Sequence, residues 1–124
     1  MSTKKILVAE DSSVIQNLTR KILEFQNFAI VSAKNGGDVL KIVDQEDISL
    51  ILMDINMPVM DGIQCAKAVR ALRDEEKRNI PIIAITGNAK NYTAEDFKNA
   101  GINEYMQKPL NFDLLVEKVK SLAK

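Results

Sequence analysis

At 124 residues, 46 % of them hydrophobic, the chain has the size of one ordinary domain with one buried core. Seventeen basic and seventeen acidic side chains cancel, so no overall field draws the protein to nucleic acid or to an anionic membrane surface. A single cysteine, Cys65, excludes an internal disulfide and points to a reducing cytosol, while the absence of histidine removes the usual neutral-pH base, the commonest metal ligand and any phosphohistidine carrier.

In chain order, the polar start Ser2, Thr3, Lys4 and Lys5 after Met1 carries no targeting pattern, and Met1 is read as a natural N-terminus. The apolar run over residues 5–9 predicts a first strand. Val14, Ile15, Leu18, Ile22 and Phe25 then recur at helical spacing behind Ser12 or Ser13 as N-cap, which predicts a helix burying that stripe. A second strand is expected over 29–32, and a second helix over 36–45 with Val39, Leu40 and Val43 on one face. Residues 50–54 form the third strand. The turn over 58–62 leads into a third helix bearing Ile63, Ala66 and Val69, and residues 81–86 form the fourth strand. Residues 91–99 carry only Tyr92, Ala94 and Phe97 in a polar run, so this fourth helix is expected to be marginal, with Gly101 as a left-handed C-terminal cap. A fifth, weak strand over 103–106 precedes a last helix capped by Asn111 that carries Leu114, Leu115, Val119 and Leu122. None of the apolar runs is long enough to span a bilayer.

Strict alternation predicts an α/β fold, a doubly wound five-stranded parallel sheet with five helices and right-handed crossovers. In the strand order 2-1-3-4-5 the first, third and fourth strands are neighbours, and ligands bind beyond their carboxyl ends. Glu10 and Asp11 follow the first strand, Asp54 ends the third, Thr86 ends the fourth and Lys108 follows the fifth, so all five converge on one rim. Three crowded carboxylates repel one another unless a hard cation lies between them. Mg²⁺, or Mn²⁺, suits oxygen donors of this kind, with the backbone carbonyl of Asn56 well placed in sequence. A carboxylate such as Asp54 is a competent nucleophile toward phosphorus; Lys108 and Thr86 supply a fixed charge and a hydroxyl, and Gly87 lets the backbone approach closely. Asp54 directly follows Leu50, Ile51, Leu52 and Met53, where an idle charge against an apolar strand end is costly. Taken singly, Glu10 and Asp11 read as helix-dipole charges, Thr86 as a strand-end residue, Lys108 as a solvated lysine, and Asp61, Gly62 and Asn56 as turn chemistry.

The pair Glu10-Asp11, the stretch Met53-Asp54-Ile55-Asn56-Met57-Pro58-Val59-Met60-Asp61-Gly62, Thr86, and Tyr105 three residues before Lys108-Pro109 together resemble the receiver domain of two-component response regulators, over essentially the whole chain 1–124. The resemblance implies a CheY-like signalling domain that assists its own phosphorylation and dephosphorylation. Phosphorylation would fall on Asp54, from a histidine kinase or histidine phosphotransfer protein. Mg²⁺ would be held by Asp11, Asp54, the Asn56 carbonyl and, through water, Glu10. It further implies a switch through Thr86 and Tyr105 that repacks the face of the fourth helix, fifth strand and last helix for a downstream effector protein, a cis peptide between Lys108 and Pro109, and a monomer or phosphorylation-dependent dimer, with no direct nucleic-acid or membrane contact. Gly87 stands where alanine is common in that family, and Leu110 where phenylalanine is; the run over 79–86 resembles receivers of hybrid kinases and phosphorelays. No output domain is visible before the chain ends at Lys124. Three rivals remain: a receiver that binds its partner without phosphorylation, an aspartate-nucleophile phosphatase, and a flavin protein. Asn56 argues against the phosphatase, because it stands where a general acid would be needed, and the flavin protein lacks its hydroxyl-rich phosphate loop.

Overall fold

In Lys5–Ala9 (β1) successive side chains point to opposite sides, Ile6 and Val8 into one core and Leu7 and Ala9 into another, and all four are buried. The same division recurs in Ile48–Asp54 (β3), with Leu50 and Leu52 on the first side and Ile51 and Met53 on the second. A strand apolar on both sides belongs inside a sheet covered on both faces. The computed structural model, which describes residues 4–57, 60–87 and 93–123, has that arrangement. With Ala29–Ala33 (β2), Ile82–Thr86 (β4) and Glu104–Gln107 (β5), the strands form one parallel sheet in the order β2-β1-β3-β4-β5, as the alternation predicts.

Ser13–Phe25 (α1) and Phe112–Leu122 (α6) contribute Leu23, Leu115 and Val119 to the core of Ile6, Val8, Leu50, Leu52 and Ile83. Gly36–Gln45 (α2), Gly62–Arg70 (α3) and Ala94–Asn99 (α5) cover the other face through Val39, Val43, Cys65, Ala66, Val69 and Phe97. Among the described residues there is one helix more than the sequence pattern predicts. This extra turn, Glu75–Arg78 (α4), buries none of its side chains. Asp74 caps it by accepting from the Glu76 and Lys77 amides, and Glu75 and Glu76 at its start with Lys77 and Arg78 at its end suit the helix dipole. Local electrostatics hold it, so it leaves no apolar stripe in the sequence.

Two other expectations change. Helix α1 is capped by Ser12 as predicted, but it turns Gln16, Thr19 and Leu23 inward and leaves Val14, Leu18 and Phe25 exposed by 77 %, 46 % and 84 %. A buried glutamine is tolerated there because strand-end carbonyls accept from its amide. On α6, Leu114 also lies on the surface while Leu115 and Val119 are buried. The expected 91–99 helix is described from Ala94, with Asn91 and Tyr92 outside the described residues, as are Pro58 and Val59 of the predicted turn. It is short but firmly ended: Thr93 and Asp96 form a reciprocal capping box, and Gly101 at φ +84° closes it, its amide reaching the Lys98 carbonyl and that of Ile102 the Phe97 carbonyl.

Candidate functional site

The chain leaves the sheet at the carboxyl ends of β1, β3 and β4, and the polar residues of interest stand at those exits. Glu10 follows β1 with its amide tied to the Ala33 carbonyl at 3.0 Å, and Asp54 is the last residue of β3. Their side chains are almost wholly buried while Asp11 is exposed, yet carboxylate oxygens of Glu10, Asp11 and Asp54 all lie within 4.8 Å of one another. Asp54 Oδ1 accepts from the Asn56 amide at 2.9 Å, and Asp54 Oδ2 lies 3.2 Å from Lys108 Nζ. The Lys108 amide donates to the Thr86 carbonyl at 2.8 Å, and the Lys108–Pro109 peptide is cis. Thr86 is buried at the end of β4.

Gly62 was legible in the sequence only as a turn residue, but its role is close approach. A Cβ there would sit 2.8 Å from the Ile55 Cα and 2.9 Å from the Asp54 carbonyl oxygen, and its amide donates to the Ile55 carbonyl at 2.9 Å. Only glycine lets the start of α3 lie against the end of β3, directly behind Asp54. At Gly87 the protein leaves room, since a Cβ would meet Lys108 Cδ at an ordinary 3.6 Å. Tyr105 projects from the edge strand β5, partly exposed, with its ring stacked on Phe97 at a centroid distance of 4.9 Å.

Burial, with the hydrogen bond to Asp54 and the charge on it, pushes the Glu10 carboxyl up to about 8. Burial also acts to raise Asp54, but the hydrogen bonds from Glu10 and the Asn56 amide and the charge of Lys108 outweigh it and hold Asp54 below its ordinary value. Near neutral pH and without a cation, the pair shares one proton. Glu10 therefore contributes stability that is full below its ordinary 4.5 and lost as pH rises through about 8. The depressed Asp54 contributes above its ordinary 3.8 and loses that contribution only as pH falls below it. Thermal unfolding in EDTA is expected to show a midpoint lower by about 5 °C at pH 9 than at pH 6, and Glu10→Gln is expected to flatten this slope. An unchanged slope in Glu10→Gln would place the titrating group elsewhere.

The donor set of three carboxylates fits a hard divalent ion, and the chain has no histidine to offer imidazole. A lysine lies on the buried Asp54 carboxylate, two further carboxylates stand beside it and a threonine ends the adjacent strand, and the response regulator receiver domain family model matches residues 6–120.

The chain belongs to that family. It is 30 % identical over 119 residues to the polar-differentiation response regulator DivK of Brucella ovis, covering 96 % of this chain and 95 % of DivK. It is 36 % identical over 116 residues to the CAI-1 autoinducer sensor kinase/phosphatase CqsS of Vibrio cholerae, covering 94 % of this chain but 17 % of CqsS. The chain thus spans only a small part of the sensor kinases it resembles. Among solved structures, the receiver domain of the sensor histidine kinase PA1611 from Pseudomonas aeruginosa PAO1 superimposes with a TM-score of 0.86 at 29 % identity over 98 % of both chains; a magnesium ion is coordinated in its active-site cleft. This receiver is a signalling domain of two-component systems, related to response regulators and to hybrid kinases alike. No helix among its described residues is long and apolar enough to cross a membrane.

Proposed function

We propose that this receiver accepts a phosphoryl group on Asp54 from the phosphohistidine of a histidine kinase or histidine phosphotransfer protein. The observation that carries the reading is Asp54 itself, a buried carboxylate kept ionised at a strand end, 3.2 Å from Lys108 and within 4.8 Å of two further carboxylates. A carboxylate oxygen of Asp54 forms the new P–O bond as the donor's P–N bond breaks, and the departing imidazole nitrogen keeps the electron pair. Asp11, Asp54, the Asn56 carbonyl and, through water, Glu10 would hold Mg²⁺ or Mn²⁺, which supplies neutralisation of the charge spread over the phosphoryl oxygens. Lys108 lends fixed positive charge to the same oxygens, Thr86 a hydroxyl and Gly87 a backbone amide. Having no histidine, the chain depends on a donor from outside, and Val14 and Leu18, exposed on the first turns of α1, offer such a donor an apolar footing near the rim.

In this reading the phosphorylated state draws Thr86 toward the phosphoryl group, Tyr105 moves inward, and the face of α5, β5 and α6 repacks for an effector protein. Intact mass after incubation with acetyl phosphate tests the chemistry. One phosphoryl group is expected in wild type with Mg²⁺, and none with EDTA or in Asp54→Asn. Failure of both acetyl phosphate and a phosphohistidine donor to label wild type would overturn the proposal in favour of a receiver that binds without phosphorylation. Amide shifts around Thr86 and Tyr105 that do not change in the labelled sample would remove the switch.

A further inference from the structure

The side of α1 that faces the sheet carries a residue with no packing reason to be there. An amphipathic helix buries its apolar stripe, yet α1 buries Gln16 to 7 % exposure while Val14 and Leu18 on the same turns face out. Both bonds of the Gln16 side-chain amide go to backbone at the edge of the site. Gln16 Nε2 donates to the Glu10 carbonyl at 3.1 Å and to the Ala33 carbonyl at 2.9 Å. Ala33 is the last residue of β2 and the register partner of Ala9, and its carbonyl also accepts the Glu10 amide at 3.0 Å. Strand β1 stops at Ala9, and the Glu10 amide is tied to β2 just beyond it. The Glu10 residue is thus held on both sides, its amide by Ala33 and its carbonyl by Gln16. That carbonyl is part of the peptide plane leading into Asp11, whose carboxylate is one of the three within 4.8 Å.

We infer that Gln16 is a positioning residue for the acidic cluster. By gripping the Glu10–Asp11 peptide where β1 leaves the sheet, its amide sets the directions of the Glu10 and Asp11 carboxylates and hence the affinity of the cluster for a divalent cation. This rests on the cation reading above. Partners that orient the groups around a metal without touching it typically change affinity by about 10- to 100-fold when removed. A buried carbonyl stripped of its donor is penalised, which favours any turn of its peptide plane that finds it a new partner.

The test compares the Mg²⁺ dissociation constants of wild type, Gln16→Met and Leu23→Ala, followed by amide chemical shifts well below every unfolding midpoint. Methionine keeps the length and burial of Gln16 but has no donor. Leu23→Ala opens a cavity two turns further along the same helix, in the core and away from the rim, and controls for stability. Gln16→Met is expected to weaken Mg²⁺ binding about tenfold, whereas Leu23→Ala lowers the midpoint and leaves affinity within about twofold. Unchanged affinity in Gln16→Met, or equal weakening in Leu23→Ala, would overturn the inference. Should Gln16→Met not fold, the wild-type Gln16 side-chain NH₂ signals decide: they are expected to shift along the Mg²⁺ titration with the same midpoint as the Glu10 and Asp11 amides, and signals that stay fixed would overturn it. Wild type that binds no Mg²⁺ at all would overturn the cation reading first, and the role of Gln16 with it.

Discussion

Replacing Lys108 with Met is expected to slow phosphoryl transfer to Asp54 by 100-fold or more while leaving the protein folded. Lys108 lies 3.2 Å from Asp54 Oδ2, and Asp54 is one of three carboxylates within 4.8 Å of one another. Its stem is partly buried, and methionine fills much of the same volume. A fixed charge aimed at oxygens that gain negative charge in the transition state is worth roughly 10²–10³ in rate. The same substitution leaves Asp54 without its counter-charge, so Mg²⁺ is expected to bind more tightly than in wild type. Slower transfer combined with tighter Mg²⁺ separates loss of transition-state stabilisation from general damage, which would weaken both. The two readouts are initial rates of mass gain with acetyl phosphate at saturating Mg²⁺ and a Mg²⁺ titration of the same protein. A rate within threefold of wild type would remove Lys108 from the chemistry.

Lys108 could be picked out from sequence because strand ends are visible as the points where apolar runs stop, and in a doubly wound sheet those points share one rim. Glu10, Asp11, Asp54 and Thr86 stand out in the sequence for the same reason; the structure places the three carboxylates within 4.8 Å of one another and Thr86 at the end of the strand beside Asp54. Residues that act through bonds to distant backbone left no such trace. Gln16 reads as one more polar residue on α1, because its partners are two carbonyls whose positions depend on how β1 and β2 pair. The rotation of α1 was misread for a related reason: of the apolar stripe, Val14, Leu18 and Phe25 face outward while Ile15 and Ile22 are half-buried, and the side chains fully buried on the sheet face are partly polar. Gly62 illustrates a third case, since a glycine needed for close approach looks identical in sequence to one needed for a turn.

Arg70 is the strongest example of a residue silent in sequence, and Arg70→Ala is expected to cost the fold about 3 kcal/mol. At the end of α3 its guanidinium donates through Nε to the Gly101 carbonyl at 2.9 Å, through Nη1 to the Arg78 and Ile80 carbonyls at 2.7 Å each, and through Nη2 to Asn103 Oδ1 at 3.0 Å. Asn103 Oδ1 in turn accepts the Ile82 amide at 2.8 Å. One side chain thus ties α3 to the segments leading into both β4 and β5, and a Cβ at Gly101 would run into it. Alanine leaves three carbonyls and an asparagine oxygen short of donors in a place only partly open to water, and each such loss is worth about 1 kcal/mol net. The unfolding midpoint is expected to fall by roughly 10 °C. Lysine, a single compact donor group, cannot reproduce the planar fork and is expected to recover less than half of the loss. All these partners lie at the opposite end of the sheet from Asp54, so the variant separates scaffold from chemistry: at a temperature where Arg70→Ala is still folded, its rate of phosphorylation by acetyl phosphate is expected to match wild type. A midpoint within about 2 °C of wild type would mean water replaces the guanidinium without loss; a normal midpoint with slowed labelling would mean instead that the start of β4 transmits its position along the strand to Thr86.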